Sequence, residues 1–134
     1  MPALTNLTDL LRALEPKLHD EDFVFCTVVG DLSEYLNLNP VATFVEQEGL
    51  TLILEKSRAR EAELNFDGTY KQISLSVHSS LTAVGLTAAV SSALASKGIS
   101  ANVLAAYYHD HIFVPATRAA DAMECLRRLV DEFK

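Results

Sequence analysis

Tyr70-Lys71-Gln72-Ile73-Ser74-Leu75-Ser76-Val77-His78-Ser79-Ser80-Leu81-Thr82-Ala83-Val84-Gly85-Leu86 is the stretch whose reading decides the fold. Ile73, Leu75 and Val77 alternate with Gln72, Ser74, Ser76 and His78, the pattern of a half-buried strand. A small, polar turn containing Gly85 follows. It opens a helix that carries Leu86, Ala89, Val90, Ala93 and Leu94 on one face. A strand-to-helix turn of this kind presents backbone N–H groups at a helix N-terminus, where a carboxylate or other anion is stabilised. The stretch therefore predicts a fold that binds small molecules.

Downstream, Gly98 is placed to end the helix as its C′ residue. Asn102–Tyr108 and His111–Val114 read as paired strands joined by a tight turn at His109-Asp110. Pro115 leaves the sheet, and Thr117 is placed to cap a last helix with Ala122, Leu126, Leu129, Val130 and Phe133 on one face. Strand–helix–strand–strand–helix is a ferredoxin-like βαββαβ unit without its last strand. Upstream, Leu7, Leu10, Leu11, Leu14 and Leu18 fall at helical spacing, so a helix is expected from Asn6, its N-cap, to Glu15, with Pro16 closing it. An acidic turn, His19-Asp20-Glu21-Asp22, then precedes a strand at Phe23–Val29. Residues 31–40 show no clear period, and Pro40 breaks any helix there. A hairpin is expected from Val41–Val45 and Leu50–Leu54 around Gln47-Glu48-Gly49, then a short helix, Arg58–Leu64, capped by Ser57. This half resembles the same unit without its first strand. The fold class expected is α+β: two tandem ferredoxin-like units with antiparallel sheets, residues 1–68 and 69–134, completed by sharing or exchanging strands.

The 134 residues are 49% hydrophobic and 22% charged, enough apolar material for a core. The net charge of −7 is unevenly placed: residues 1–67 carry 13 acids and 5 bases, and residues 68–134 carry 5 acids and 6 bases. Neither half is basic enough to suggest nucleic acid or an anionic membrane as partner. Met1-Pro2-Ala3-Leu4-Thr5 has no signal-peptide pattern and no apolar run is long enough to span a bilayer, so a cytoplasmic location is expected. Cys26 and Cys125 sit among apolar residues and read as buried, reduced thiols.

His109-Asp110-His111 has metal-ligand chemistry, and His109 and His111 would converge on a strand but not in a turn. A polar hairpin tip or a dimer contact is the plainer reading, and no metal or cofactor is expected. Ser79 and Ser80 beside His78 are adjacent in sequence without the geometry of a catalytic dyad, and no nucleotide-binding or hydrolase motif occurs, so no enzyme activity is expected. Tyr107 and Tyr108 are expected on opposite faces of a strand.

Ile73-Ser74-Leu75-Ser76-Val77, Leu81–Leu86, Gly98-Ile99-Ser100-Ala101-Asn102-Val103 and Tyr107-Tyr108-His109-Asp110-His111-Ile112-Phe113-Val114-Pro115 resemble an ACT domain. The resemblance covers roughly residues 70–133. Glu48-Gly49-Leu50-Thr51-Leu52 carries it more loosely into the first half. It is similar to the paired ACT domains of aspartate kinase and of arginine-sensing proteins. The resemblance implies an amino acid or related effector held by the turn Ser79, Ser80, Leu81, Thr82, Ala83, Val84, Gly85 and Leu86, with Asn102 and Asp110 nearby. It also implies a homodimer. Where the family usually has an acid and a proline before the glycine, this chain has Thr82, Ala83 and Val84. The expected function is a non-enzymatic regulatory protein that binds an amino acid. The alternative is a structural or protein-interaction ACT dimer without a ligand.

Overall fold

A computed structural model describes residues 6–77 and 84–134. In chain order these form helix α1 (Leu7–Ala13), strands β1 (Pro16–Val28), β2 (Ala42–Val45) and β3 (Leu50–Glu55), and helix α2 (Lys56–Glu61). Strand β4 (Tyr70–Leu75), helix α3 (Leu86–Ser96), strands β5 (Asn102–Ala105) and β6 (Asp110–Pro115), and helix α4 (Ala119–Asp131) complete them. The strands are antiparallel, and the fold is that of two ferredoxin-like units in tandem. The chain forms two compact units. One holds the residues up to Asp20 together with Lys71–Lys134, and the other holds Glu21–Tyr70. By contacts, α1 and the first residues of β1 thus group with the C-terminal elements.

In the larger unit the strand order is β1-β4-β6-β5. Ile73 and Leu75 of β4 and Ile112 and Val114 of β6 face the helices. They close on Leu10 and Leu11 of α1, Leu86, Val90 and Leu94 of α3, and Ala122, Leu126 and Val130 of α4. The period-2 and period-3.6 patterns meet in one apolar layer, as the sequence predicts. Leu129 and Phe133, expected on the same face of the last helix, are only partly buried against it. Gly98 follows α3 at φ +70°, with Ile99 N–H donating to Leu94 O at 3.0 Å and Gly98 N–H to Ala95 O at 2.9 Å. That pair of bonds is a Schellman closure, which satisfies carbonyls the helix end would otherwise leave open. Asn6 caps α1, its Oδ1 accepting from Asp9 N–H at 3.2 Å. Asn6→Ala should therefore lose about 1 kcal/mol, read from a denaturant midpoint; no change would mean that α1 is held by Leu10 and Leu11 alone.

In the smaller unit the order is β2-β3-β1, with Val24↔Leu54, Cys26↔Leu52 and Val28↔Leu50 in register. These apolar residues, with Ala59 of α2, form a separate core. Residues 31–40 are two short 3-10 turns, Leu32–Glu34 and Leu36–Leu38. Asp31 N–H donates to the Glu34 carboxylate at 2.8 Å, and Asn39 ends the segment at φ +50°.

Three expectations are corrected. His19-Asp20-Glu21-Asp22 is not a turn but the middle of the 13-residue strand β1. Pairing overrides the local acidic composition: Ser76 N–H donates to Glu15 O at 3.0 Å and Lys71 Nζ to Asp20 O at 2.5 Å. The short helix of the first half begins at Lys56, with Glu55 rather than Ser57 at its N-cap. Finally, β5 stops at Ala105, so Tyr107 and Tyr108 lie on the connection to β6 and are both exposed. Ala106 N–H donating to His109 O at 3.1 Å closes that connection one residue pair earlier than the sequence suggests.

Candidate functional site

Strand β4 ends at Leu75, and Val77, the last described residue before the predicted site, is buried. His78 and five of the predicted site residues, Ser79, Ser80, Leu81, Thr82 and Ala83, lie outside the described residues. Beyond them Val84 is exposed, Gly85 takes φ +103° and ψ −21° at the N-cap of α3, and Leu86 is buried in the core. Ala89 N–H donating to Gly85 O at 2.8 Å begins the helical ladder. Gly85 offers α3 no capping side chain.

Asp110 heads β6, opposite Ala105, and is only 8% exposed. Burial pushes its carboxyl up from the ordinary range, while His111 and His109 pull it down. Because Ser74 Oγ lies 2.8 Å from His111 Nδ1, the start of β6 sits beside the C-terminal end of β4. Asn102 is exposed at the start of β5, with Nδ2 donating to Phe113 O at 3.2 Å across its own register pair. Three strand positions, about 10 Å, separate its level from that of Asp110. Asp110 is thus near the C-terminal end of β4, and Asn102 is further down the same hairpin.

The rings of His109 and His111 are 6.5 Å apart by centroid. Among the described residues no group of three or more His, Cys, Asp or Glu side chains is placed to hold a metal. His111 instead belongs to a hydrogen-bonded array with His19, Gln72 and Ser74 that the sequence reading did not find. The signal was partial. Gln72, Ser74 and His111 alternate out of phase with the core residues, which places them on the other sheet face, but no local pattern brings in His19, 55 positions from Ser74. Cys26 and Cys125 are both buried and free, as expected, and burial pushes both thiols up. In the smaller unit, Val29–Leu32 and Val45–Leu50 line a cleft of about 330 Å³ whose polar wall is Asp31, Glu46 and Glu48.

Residues 2–71 match an ACT domain, and residues 68–128 match a second one. The chain belongs to the ACT-domain family. Two such domains stand in tandem in it, and ACT domains are typically regulatory and bind ligands. This tandem ACT protein is 52% identical to a Vibrio cholerae protein of unknown function, described as a possible transport protein. That match covers 92% of this chain and 95% of the other, with a TM-score of 0.86. The ligand-free regulatory subunit of aspartate kinase from Thermus thermophilus shares the fold at 13% identity and TM-score 0.63, over 87% of this chain and 98% of that one. So does Escherichia coli aspartokinase III in complex with aspartate and ADP, at 14% identity and TM-score 0.64, over 90% of this chain and 33% of that one. No curated protein matches the chain. Among the described residues, no helix is long and apolar enough to cross a membrane.

Proposed function

We propose that this tandem ACT protein is a non-enzymatic regulatory module that binds an amino acid or a related small effector. The site is the turn at residues 79–86, with Asp110 and Asn102 contributing from the neighbouring hairpin. The repeat halves at 1–68 and 69–134 and a cytoplasmic homodimer belong to the same proposal. The observation that carries it is the pairing of two chemistries at one end of a sheet. Helix α3 opens at Gly85 with no capping side chain there, and the carboxyl of Asp110 is withdrawn from water at the head of β6. First-turn N–H groups suit a ligand carboxylate, and a buried carboxylate suits a ligand ammonium. With no catalytic motif in the chain, a signal would pass to a partner or through the dimer, which requires the effector to prefer one of two states. The relative described as a possible transport protein is consistent with this at one step, because transport and regulation both begin with capture of a small solute.

A second reading, an interaction dimer without a ligand, is favoured by β2. It lies at a sheet edge, and Phe44 and Val45 are 70% and 82% exposed. Open apolar edges of this kind invite strand pairing. Calorimetry and thermal shift against the twenty amino acids at millimolar concentration separate the two. An effector at 100 times its Kd stabilises by about 2.7 kcal/mol, and Asp110→Asn should remove most of that gain. No stabilisation by any of the twenty, together with a dimer that Phe44→Glu dissociates, would leave the second reading standing.

A further inference from the structure

Gln72 and Ser74 point away from the core that Ile73 and Leu75 build, yet they are only 7% and 6% exposed. Polar groups so withdrawn from water must find partners inside the protein. They find imidazoles. His19 Nε2 lies 2.7 Å from Ser74 Oγ, and Ser74 Oγ lies 2.8 Å from His111 Nδ1. Gln72 Nε2 lies 3.2 Å from the same Nδ1 and 3.5 Å from Ser74 Oγ.

A serine hydroxyl has one proton, so Ser74 cannot donate to both rings. The Gln72 amide decides the direction. Its N–H needs an acceptor, which makes His111 Nδ1 the acceptor and places the ring's proton on Nε2. Ser74 then donates to His111 Nδ1 at 2.8 Å and accepts from His19 Nε2–H, while the Gln72 amide, 3.2 Å from Nδ1 and 3.5 Å from Ser74 Oγ, shares the ring's one lone pair and the hydroxyl oxygen. We propose that His19, Gln72, Ser74 and His111 form a proton-sensitive lock across β1, β4 and β6, closed while His111 is neutral and opened when its Nδ1 takes a proton.

Protonation at Nδ1 removes the lone pair that Ser74 and Gln72 share, so the contacts survive only if the hydroxyl and the amide both reverse. It also adds a charge to a crowded face. The groups facing His111 are His19 from β1, the uncharged Gln72 and Ser74 from β4, the apolar Leu104 opposite it on β5, and His109 and Asp110 from its own segment. Only Asp110 favours the charged ring. Burial first, then His109 and His19, outweigh it and hold His111 below the ordinary histidine range. The sign follows. A histidine kept neutral by folding contributes stability above its unfolded value, and that stability is lost as pH falls from about 6.5 towards the folded value. Asp110, whose carboxyl is raised, works in the opposite sense within the carboxylate range. Below the histidine window the two effects oppose each other. The lock stands whether or not the neighbouring turn binds an effector.

The test compares the full chain with His111→Asn, in which an amide oxygen replaces Nδ1 as acceptor and does not titrate. Between pH 7.5 and 5.5 the unfolding constant of the wild-type protein should rise by up to about tenfold more than that of the variant, the most one such histidine supplies. Superimposable pH profiles would overturn the proposal. Should His111→Asn fail to fold, imidazole NMR on the wild-type protein decides. His111 is expected with Nδ1 unprotonated at pH 7 and a midpoint below 6.5, and Ser74→Ala, which removes one donor to the neutral ring, should raise that midpoint. A proton on Nδ1 at pH 7, or a midpoint that Ser74→Ala leaves unchanged, would refute the lock.

Discussion

Leu126→Ala is expected to destabilise the larger unit by about 3 kcal/mol, within the 2–5 kcal/mol that such buried deletions cost. Leu126 is fully buried on α4, in the cluster that joins α1, α3, β4 and β6. Truncation removes its transfer free energy and leaves a void that fixed neighbours on three helices and a sheet cannot fill. Against a total of 5–15 kcal/mol for an ordinary domain, the loss is a large fraction. It should lower the thermal midpoint by roughly 10 °C. Leu126→Met, which conserves volume, should cost less than about 1.5 kcal/mol. A loss near zero for the alanine variant in urea unfolding would mean that α4 does not seal this core.

That prediction rests on a residue the sequence already marked. Ala122, Leu126 and Val130 repeat at helical spacing, as do Leu86, Val90 and Leu94, and all six are buried. Such patterns are legible because the elements that carry them are amphipathic over three turns, and burial follows the period. The Schellman end at Gly98 was legible for a related reason, since glycine tolerates the left-handed conformation that the stop requires. The length of β1 was not legible. Pro16 and the run His19-Asp20-Glu21-Asp22 have the local composition of a turn. What makes them strand is the fit of Glu15, His19 and Asp20 to Ser76, Ser74 and Lys71, more than fifty positions away. The array at His111 escaped notice for the same reason. The alternation shows which face each residue takes, but it does not show that the polar face is withdrawn from water.

The candidate site was legible as a type of connection and not as a set of contacts. Its glycine and its helix fall where the sequence puts them, and its strand ends at Leu75, short of the alternation that runs on to Val77. As an effector contact Asp110 was marked by the resemblance, and its burial adds a physical reason to take it seriously. Asn102 was marked in the same way, and its amide already bonds Phe113 O, so it has less to offer a ligand.

Gly85→Val should cost about 2–3 kcal/mol and displace the start of α3. Two separate penalties combine there. At φ +103° an L-residue is strained by roughly 1–2 kcal/mol, and a β-branched one is the least tolerant. A Cβ at this position would also meet Leu7 Cδ2 at 3.1 Å, so the Leu7 side chain must give by a few tenths of an ångström. Gly98→Val, the same substitution, separates the terms. Its φ of +70° carries the strain, but nothing lies within 4 Å of the added Cβ, so it should cost only about 1–2 kcal/mol. If both variants lose the same amount, the Leu7 contact is soft and glycine at 85 serves the backbone alone. If Gly85→Val loses the larger amount, as expected, α1 braces the opening of α3. Leu7→Ala should then recover part of the loss in the double variant, because the two residues share one space. The same double variant bears on the proposed effector site. Where the turn is the binding element, stability would return with Leu7→Ala while affinity would not, since the backbone of residue 85 would still be held away from its left-handed conformation.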